Sequence, residues 1–202
     1  MEYIFTNRIL NMNTLHNLCK LSIDKLTINK CNIGDKGIEI LAEYIKTSTL
    51  KELTIRNDYI THKGTLALKN AIEINSSLIK LDLSGSLNGE YSSPNNILEG
   101  MKINKSITIL ILSYNTVYNS TYLILNDVLY SNTTLQELYL GDTLYDEVFF
   151  GIRLVWENGM LYNSTLKIFE FSPTVMLSQE YIDIIDTYKL NRSIVRINTK
   201  HR

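Results

Sequence analysis

The side chains that carry out most protein chemistry are few and scattered in this sequence. The three histidines, His16, His62 and His201, have no spacing that would place two of them as metal ligands on one helix face. Cys19 and Cys31 lack both the paired spacing and the neighbouring histidines of a zinc site. The sequence therefore predicts no metal site, no cofactor and no catalytic triad.

Three carboxylates lie close together in the sequence, at Asp142, Asp146 and Glu147. An acid pair of this kind can serve general acid–base catalysis. However, the first turn of a helix also favours acidic residues, because the helix dipole is positive at that end, and we prefer this structural interpretation. The sequence contains no phosphate-binding P-loop and no glycines with dinucleotide-binding spacing. We therefore predict that the chain is not an enzyme.

The composition is that of one ordinary folded domain. Of 202 residues, 45% are hydrophobic and 20% are charged, as in chains that form a core. The formal net charge of −1 offers no general attraction to nucleic acid or to anionic lipid. Glu2, Asn7 and Arg8 interrupt the apolar start, so no secretory signal is predicted. We expect a monomer in a reducing, cytoplasmic setting, with neither nucleic acid nor a membrane as its partner.

A repeat of roughly 27 to 31 residues runs through almost the whole chain. Its unit has three apolar positions, separated by two residues and then by one, followed by a small or polar position. The copies contain Ile23, Leu26 and Ile28; Leu50, Leu53 and Ile55; Leu78, Leu81 and Leu83; Ile107, Leu110 and Leu112; Leu135, Leu138 and Leu140; Leu166, Phe169 and Phe171; and a truncated set at Ile194 and Ile197. Each alternating run predicts a strand, and the segment behind it has the apolar period of a helix.

Two further features recur with this period. Side-chain oxygens that can cap free helix amides precede four predicted helices, at Asp35, Ser93, Asp146 and Ser178. An Asn-x-Ser or Asn-x-Thr motif lies between a predicted helix and the next predicted strand at Asn75, Asn104, Asn132, Asn163 and Asn191. These motifs are formal glycosylation acceptors. We prefer a structural interpretation, in which Asn ends the helix in the left-handed conformation and Ser or Thr bonds locally.

The repeat resembles that of the ribonuclease-inhibitor class of leucine-rich-repeat proteins, which also includes the repeats of NOD-like receptors and Ran GTPase-activating proteins. Residues Ile33–Gly37, followed by Leu41 and Ala42, are similar to the I-G-D-x-G…L-A signature of that class. The resemblance covers about residues 21–202. It implies an α/β leucine-rich-repeat solenoid, a right-handed β-α superhelix with parallel strands on the concave side and helices on the convex side. Residues 1–20 are predicted to be an N-terminal capping helix region, and residues 21–202 to hold about six full repeats plus the truncated strand.

The repeated apolar positions are predicted to form one core. Strand side chains alternate between two faces, so every second residue lies on the side away from the helices. Core positions of successive repeats should then lie side by side. One row of this core is predicted to consist of Leu53, Leu81, Leu110 and Leu138.

The residues between these core positions change in character along the chain. The first three repeat strands present polar, mildly basic side chains, whereas Ile109 and Ile111 occupy both such positions of the fourth. Two isoleucines beside tyrosines and acids resemble the apolar centre and polar rim of a protein interface. The predicted partner-binding residues are Ile109, Ile111, Tyr114, Glu137, Tyr139, Asp142, Ile168, Glu170, Arg56 and Lys80. Alternatively, tight curvature or covering loops make these side chains pack only on each other.

The pattern favours a non-enzymatic interaction or scaffold module that binds a protein partner through its concave face. The alternative is a GTPase-activating protein of the Ran-activating type, which only the resemblance implies. Arg56 and Asn57 lie at the end of a predicted strand, where a loop could reach a nucleotide-binding partner. No motif marks them as stabilisers of phosphoryl transfer.

Overall fold

The computed structural model is an α/β arrangement in which strands and helices alternate, as predicted. It describes residues 1–87, 94–141, 144–145 and 155–171. Seven strands form one parallel sheet in chain order: β1 (Glu2–Thr6), β2 (Lys25–Asn29), β3 (Glu52–Arg56), β4 (Lys80–Asp82), β5 (Ile109–Ile111), β7 (Glu137–Leu140) and β9 (Ile168–Phe171). Two short parallel strands, β6 (Thr116–Val117) and β8 (Leu144–Tyr145), form a second sheet.

The helices lie between successive strands of the large sheet. They are α1 (Met12–Leu18), α2 (Gly34–Thr47), α3 (His62–Ile74), α4 (Asn95–Ile103), α5 (Asn119–Ser131) and α6 (Met160–Tyr162), with a π-helical turn at Val155–Gly159 directly before α6. Helix α2 buries Ile38, Leu41 and Ile45, the stripe that its apolar period predicts. From α1 to α5 each helix packs on the next one along the chain. Each strand–helix unit therefore buries its apolar side against its neighbours.

The predicted core row is confirmed by the strand register. Leu53 pairs with Leu81, Leu81 with Leu110, and Leu110 with Leu138, and the row continues to Phe169 in β9. All five side chains are fully buried and belong to one hydrophobic core. Because strand side chains alternate, the residues between the core positions lie on the other side of the sheet. We refer to that side as the open face.

The N-terminal region differs from the prediction of a capping helix. Strand β1 precedes the helix and pairs residue by residue with β2, so that Phe5 lies beside Ile28. Helix α1 is short; it buries Leu15 and Leu18, whereas Ile9 lies before it and is 84% exposed. Strand β1 was not predicted because its segment contains too few of the repeated apolar residues to show the period.

Asp35 caps a helix, but not the helix in which it lies. Helix α2 begins without a side-chain cap. The Asp35 carboxylate instead accepts from the backbone N and Oγ1 of Thr61, at 2.8 and 2.5 Å, and from the backbone N of Gly64 at 3.1 Å. These groups belong to the start of α3, so the acid caps the helix of the next repeat. The other predicted caps, Ser93, Asp146 and Ser178, lie outside the described residues.

The asparagines between helix and strand are structural, but not in the conformation predicted. Asn75, Asn104, Asn132 and Asn163 have extended backbones with φ between −60° and −86° rather than positive φ. All four are buried. The fifth predicted position, Asn191, lies outside the described residues. The hydrogen bonds of their side chains explain the extended conformation.

Each of these side chains joins two repeats. Asn104 Nδ2 donates to the carbonyls of Ile72 and Asn75 in the preceding repeat, at 2.8 and 3.0 Å. Its Oδ1 accepts from the backbone N of Ser106 and Ile107 in its own repeat, at 2.9 and 2.8 Å. The same pattern recurs at Asn132 and Asn163. Only an amide supplies both donors and an acceptor at one site. We call this set the asparagine ladder.

Candidate functional site

The strand register brings most of the predicted binding residues together on the open face. Two rows cross the strands from β4 to β9, and they consist of Lys80, Ile109, Glu137 and Ile168, and of Asp82, Ile111, Tyr139 and Glu170. Neighbouring strands are only about 4.8 Å apart, so adjacent members of a row touch or nearly touch. Ile109, Ile111 and Ile168 are therefore half-buried by their neighbours rather than fully exposed.

One hydrogen bond orders part of this surface. The hydroxyl of Tyr139 donates to Oε2 of Glu137 at 2.8 Å. Both side chains are half-buried, and the bond fixes the tyrosine ring against the sheet. A side chain that is already ordered loses less conformational entropy when a partner binds.

Tyr114 stands just beyond β5 in an unfavourable backbone conformation. Its φ is +61° and its side chain is 60% exposed. The equivalent position also has positive φ after β2, β3 and β4, at Lys30, Asn57 and Gly85, so the left-handed turn recurs with the repeat. The backbone N of Tyr114 donates to the carbonyl of Gly141 at 3.1 Å, which holds the turn in place. For a tyrosine this conformation costs roughly 1–3 kcal/mol.

Arg56 is bound within the protein. Its Nε and Nη2 both donate to Oδ2 of Asp82, at 2.9 and 2.5 Å. Oδ1 of the same carboxylate accepts from the backbone N and Oγ of Ser84, at 3.0 and 2.7 Å. The hydrogen bond to Asp82 raises the pKa of Arg56. Strand alternation predicts a solvated Asp82, yet this carboxylate is fully buried beneath Arg56, whose side chain is 47% exposed.

This arrangement gives no support to the GTPase-activating alternative. An arginine that stabilises a transferred phosphoryl group must be able to reach it, whereas two donors of Arg56 are held by Asp82. Asn57 is also engaged, because its Nδ2 donates to Oδ1 of Asn29 at 3.1 Å. The depression of about 190 Å³ that Asn57, Asp58, Tyr59 and Gly85 line is smaller than usual small-molecule pockets, roughly 300–1,000 Å³.

The predicted site residues are thus brought together to different degrees. Arg56 borders the two rows through its bond to Asp82, and it is close enough to Tyr114 for an electrostatic interaction. Asp142 lies outside the described residues. Within the described ranges, no group of three His, Cys, Asp or Glu side chains is placed to hold a metal ion. The helices described there are also too short or too polar to cross a membrane.

Two features of this surface were not predicted from the sequence, the burial of Asp82 and the left-handed turn at Tyr114. A signal for the turn does exist in the sequence, since Asn57 and Gly85 occupy the equivalent position and are residue types that accept positive φ. No comparable sequence signal predicts the ion pair between Arg56 and Asp82. Its partners are 26 residues apart, and alternation alone assigns both to the solvent side.

Comparison with known proteins shows a similarity of fold only. No protein family matches the chain, and no curated protein sequence matches it. Among solved structures, the chain is similar to the tropomodulin C-terminal domain from Caenorhabditis elegans, with 17% sequence identity and a TM-score of 0.48. The match covers 56% of this chain and 73% of that one. Nothing about the activity of this chain follows from similarity at this level.

Proposed function

We propose that this chain is a non-enzymatic module that binds a protein partner through the open face of its sheet. The observation that carries the proposal is the position of Ile109 and Ile111 on the open face, with the exposed Tyr114 just beyond the end of β5. The core row is complete without these residues, so the fold does not require them to be apolar. We call Ile109, Ile111, Tyr114, Tyr139 and Ile168 the apolar patch.

The patch has the composition of a binding centre with a charged border. Aromatic and aliphatic anchors carry most of the energy of protein interfaces, and polar groups surround them. Lys80, Glu137 and Glu170 border the patch within the same two rows. A rigid sheet presents these groups in fixed positions, so that little ordering is needed on binding.

We also infer the finer class of repeat, a ribonuclease-inhibitor-type solenoid whose open face is concave. The helices between strands support this inference, since α2 has 14 residues and α3 and α5 have 13 each. A repeat at the long end of the leucine-rich range has room for helices of this length. Helices are wider than strands, about 10 Å against about 4.8 Å, so a stack with helices on one side bends toward its strands.

The proposed setting is cytoplasmic and reducing. Four described asparagines of the ladder are formal glycosylation acceptors, but their side-chain nitrogens are buried donors between repeats. A glycan on any of them would break those bonds, which favours a compartment without N-glycosylation. Cys19 and Cys31 are free, and burial raises the pKa of Cys19 to about 11, so it stays a neutral thiol.

Replacing Ile111 with Lys and Tyr139 with Ala tests the binding site. We expect partner affinity to fall at least about 100-fold, because the change puts a charge at the apolar centre and removes an aromatic anchor. The stability of the fold should change by no more than about 1 kcal/mol, because both side chains are half-buried on the open face. Affinity purification with mass spectrometry identifies the partner, and calorimetry with the purified partner gives the Kd.

The matched control is Thr27→Lys with Thr54→Ala, which makes the same replacements in the same row on β2 and β3. Its binding should be that of the native chain. If the double variant at positions 111 and 139 unfolds instead, the patch is part of the core. If it keeps its partner, the binding site lies elsewhere.

Tyr114→Gly separates binding from stability. We expect the fold to gain about 1 kcal/mol, since relief of the left-handed strain outweighs the extra entropy of glycine in the unfolded chain. Partner affinity should fall about ten-fold or more, because an exposed aromatic anchor is lost. Urea denaturation and calorimetry measure the two effects. A loss of stability would show that the tyrosine ring supports the fold and is not held there for binding.

A further inference from the structure

A second unusual surface lies along the edge of the sheet where helices end and strands begin. Seven large hydrophobic side chains there are 41–66% exposed, and they are Leu21, Ile74, Ile79, Ile103, Tyr130, Leu161 and Tyr162. Four exposed lysines lie in the same helix-to-strand connections, and they are Lys20, Lys51, Lys105 and Lys167. We call these eleven residues the basic rim.

The hydrophobic members of the rim stand at repeated positions. Ile74, Ile103 and Tyr162 are the last residues of α3, α4 and α6, each directly before an asparagine of the ladder. The ladder holds these helix ends at one level. Tyr130 and Tyr162 are in edge-to-face contact, with ring centroids 5.5 Å apart, so the exposed apolar stripe is continuous from α5 to α6.

The charges of the rim are predominantly positive. Six described connections lead from a helix to the next strand of the large sheet, at 19–24, 48–51, 75–79, 104–108, 132–136 and 163–167. Asp24 is the only acidic residue in these six segments, and it pairs with the N-terminal ammonium. Lys20 and Lys167 donate to neutral amide oxygens of Asn17 and Gln136. On the neighbouring helices, by contrast, the lysines are paired with acids, in Lys46–Glu43, Lys69–Glu73 and Lys102–Glu99. The net charge of the whole chain conceals this local excess.

We propose that the basic rim docks onto an anionic membrane surface, which revises the expectation, drawn from the net charge, that a membrane is not a partner. Lysine is depleted at the centres of protein interfaces, whereas here lysines alternate with isoleucine and tyrosine along the stripe. At an anionic bilayer the same mixture is favourable, because lysines are attracted to the headgroups while tyrosine and aliphatic side chains enter the interface. A second copy of the chain is less suited to bind the basic rim, because the lysines of the two copies would repel each other. Tyr114 lies beyond the opposite end of its strand, so lipid docking leaves it accessible.

Vesicle co-sedimentation tests this docking with the purified chain. We expect binding to phosphatidylcholine vesicles that contain phosphatidylserine, and none to phosphatidylcholine alone. Lys51→Ala with Lys105→Ala should weaken binding about 25-fold, because each lysine near an anionic surface contributes about five-fold. Ile74→Ser with Ile103→Ser should weaken it as well, since apolar insertion contributes to interfacial binding. All four side chains are exposed, so these variants should fold.

The matched control is Lys36→Ala with Lys63→Ala, which removes the same charge from exposed positions at the opposite ends of α2 and α3. It should bind like the native chain. Equal losses in the control and in the rim variant, or equal binding to both kinds of vesicle, would overturn the proposal. Binding of a soluble polyglutamate probe without sedimentation on phosphatidylserine vesicles would also overturn it, in favour of an acidic protein. The partner-binding variants at positions 111 and 139 should leave sedimentation unchanged, so the two proposals can fail separately.

Discussion

Asn104→Asp is expected to destabilise the fold by about 4 kcal/mol, a large part of the stability of a typical domain. The introduced carboxylate cannot donate, so the buried carbonyls of Ile72 and Asn75 lose their partner. It also brings a negative charge within about 3 Å of those carbonyl oxygens, at a site that is 2% exposed. Urea denaturation followed by circular dichroism measures the loss.

The pH dependence of this variant provides a second test. Burial raises the pKa of a carboxylate, so the folded variant binds a proton more readily than its unfolded chain does. Its stability relative to the native chain should therefore recover as the pH falls. Asn70→Asp is the matched control, because Asn70 is exposed on α3, and it should change stability by less than about 0.5 kcal/mol. Equal effects of the two substitutions would show that the ladder does not join the repeats.

Arg56→Ala is expected to cost about 3 kcal/mol, because it leaves the buried carboxylate of Asp82 without its cation. Arg56→Ala combined with Asp82→Ala should cost less than the single change, about 1 kcal/mol, since no buried charge remains. Thermal and urea denaturation of the two variants and of Asp82→Ala complete a double-mutant cycle.

Lys25→Ala is the control for this cycle. Lys25 pairs with Glu52 at 2.6 Å on the same face, but both of these side chains are partly exposed. Such surface pairs contribute about 0–1 kcal/mol. A cost of Arg56→Ala no larger than that of Lys25→Ala would show that water replaces the guanidinium at Asp82.

The features that were predictable from the sequence are those that follow from the period alone. The spacing of the apolar residues predicted that Leu81, Leu110 and Leu138 lie in one row, because the strand of each repeat pairs in register with the strand of the next. Strand alternation likewise placed Ile109 and Ile111 together on the open face. These conclusions need no knowledge of side-chain geometry, and the structure confirms them.

The remaining features depend on which groups meet across repeats. Asp35 caps α3 instead of α2, and Asn104 reaches back to the preceding repeat, because the stacking of units decides which free amides and carbonyls lie nearby. The local sequence shows that a hydrogen-bond acceptor or a side-chain amide is present, but it does not show which group that side chain binds. For the same reason, the burial of Asp82 beneath Arg56 was not predicted. The period therefore predicts which strand positions of successive repeats lie side by side, whereas the hydrogen-bond and ion-pair partners of polar side chains require the structure of the stack.

Site-specific photocrosslinking tests most directly whether the apolar patch binds a protein. Benzoylphenylalanine would replace Ile111 in one preparation and Thr27, in the same row on β2, in another. After irradiation in native extract, we predict one protein adduct of defined mass from position 111, with a lower yield when Tyr114→Gly is added, and none from position 27. No adduct at position 111, or the same adducts from both positions, would contradict the proposed binding face.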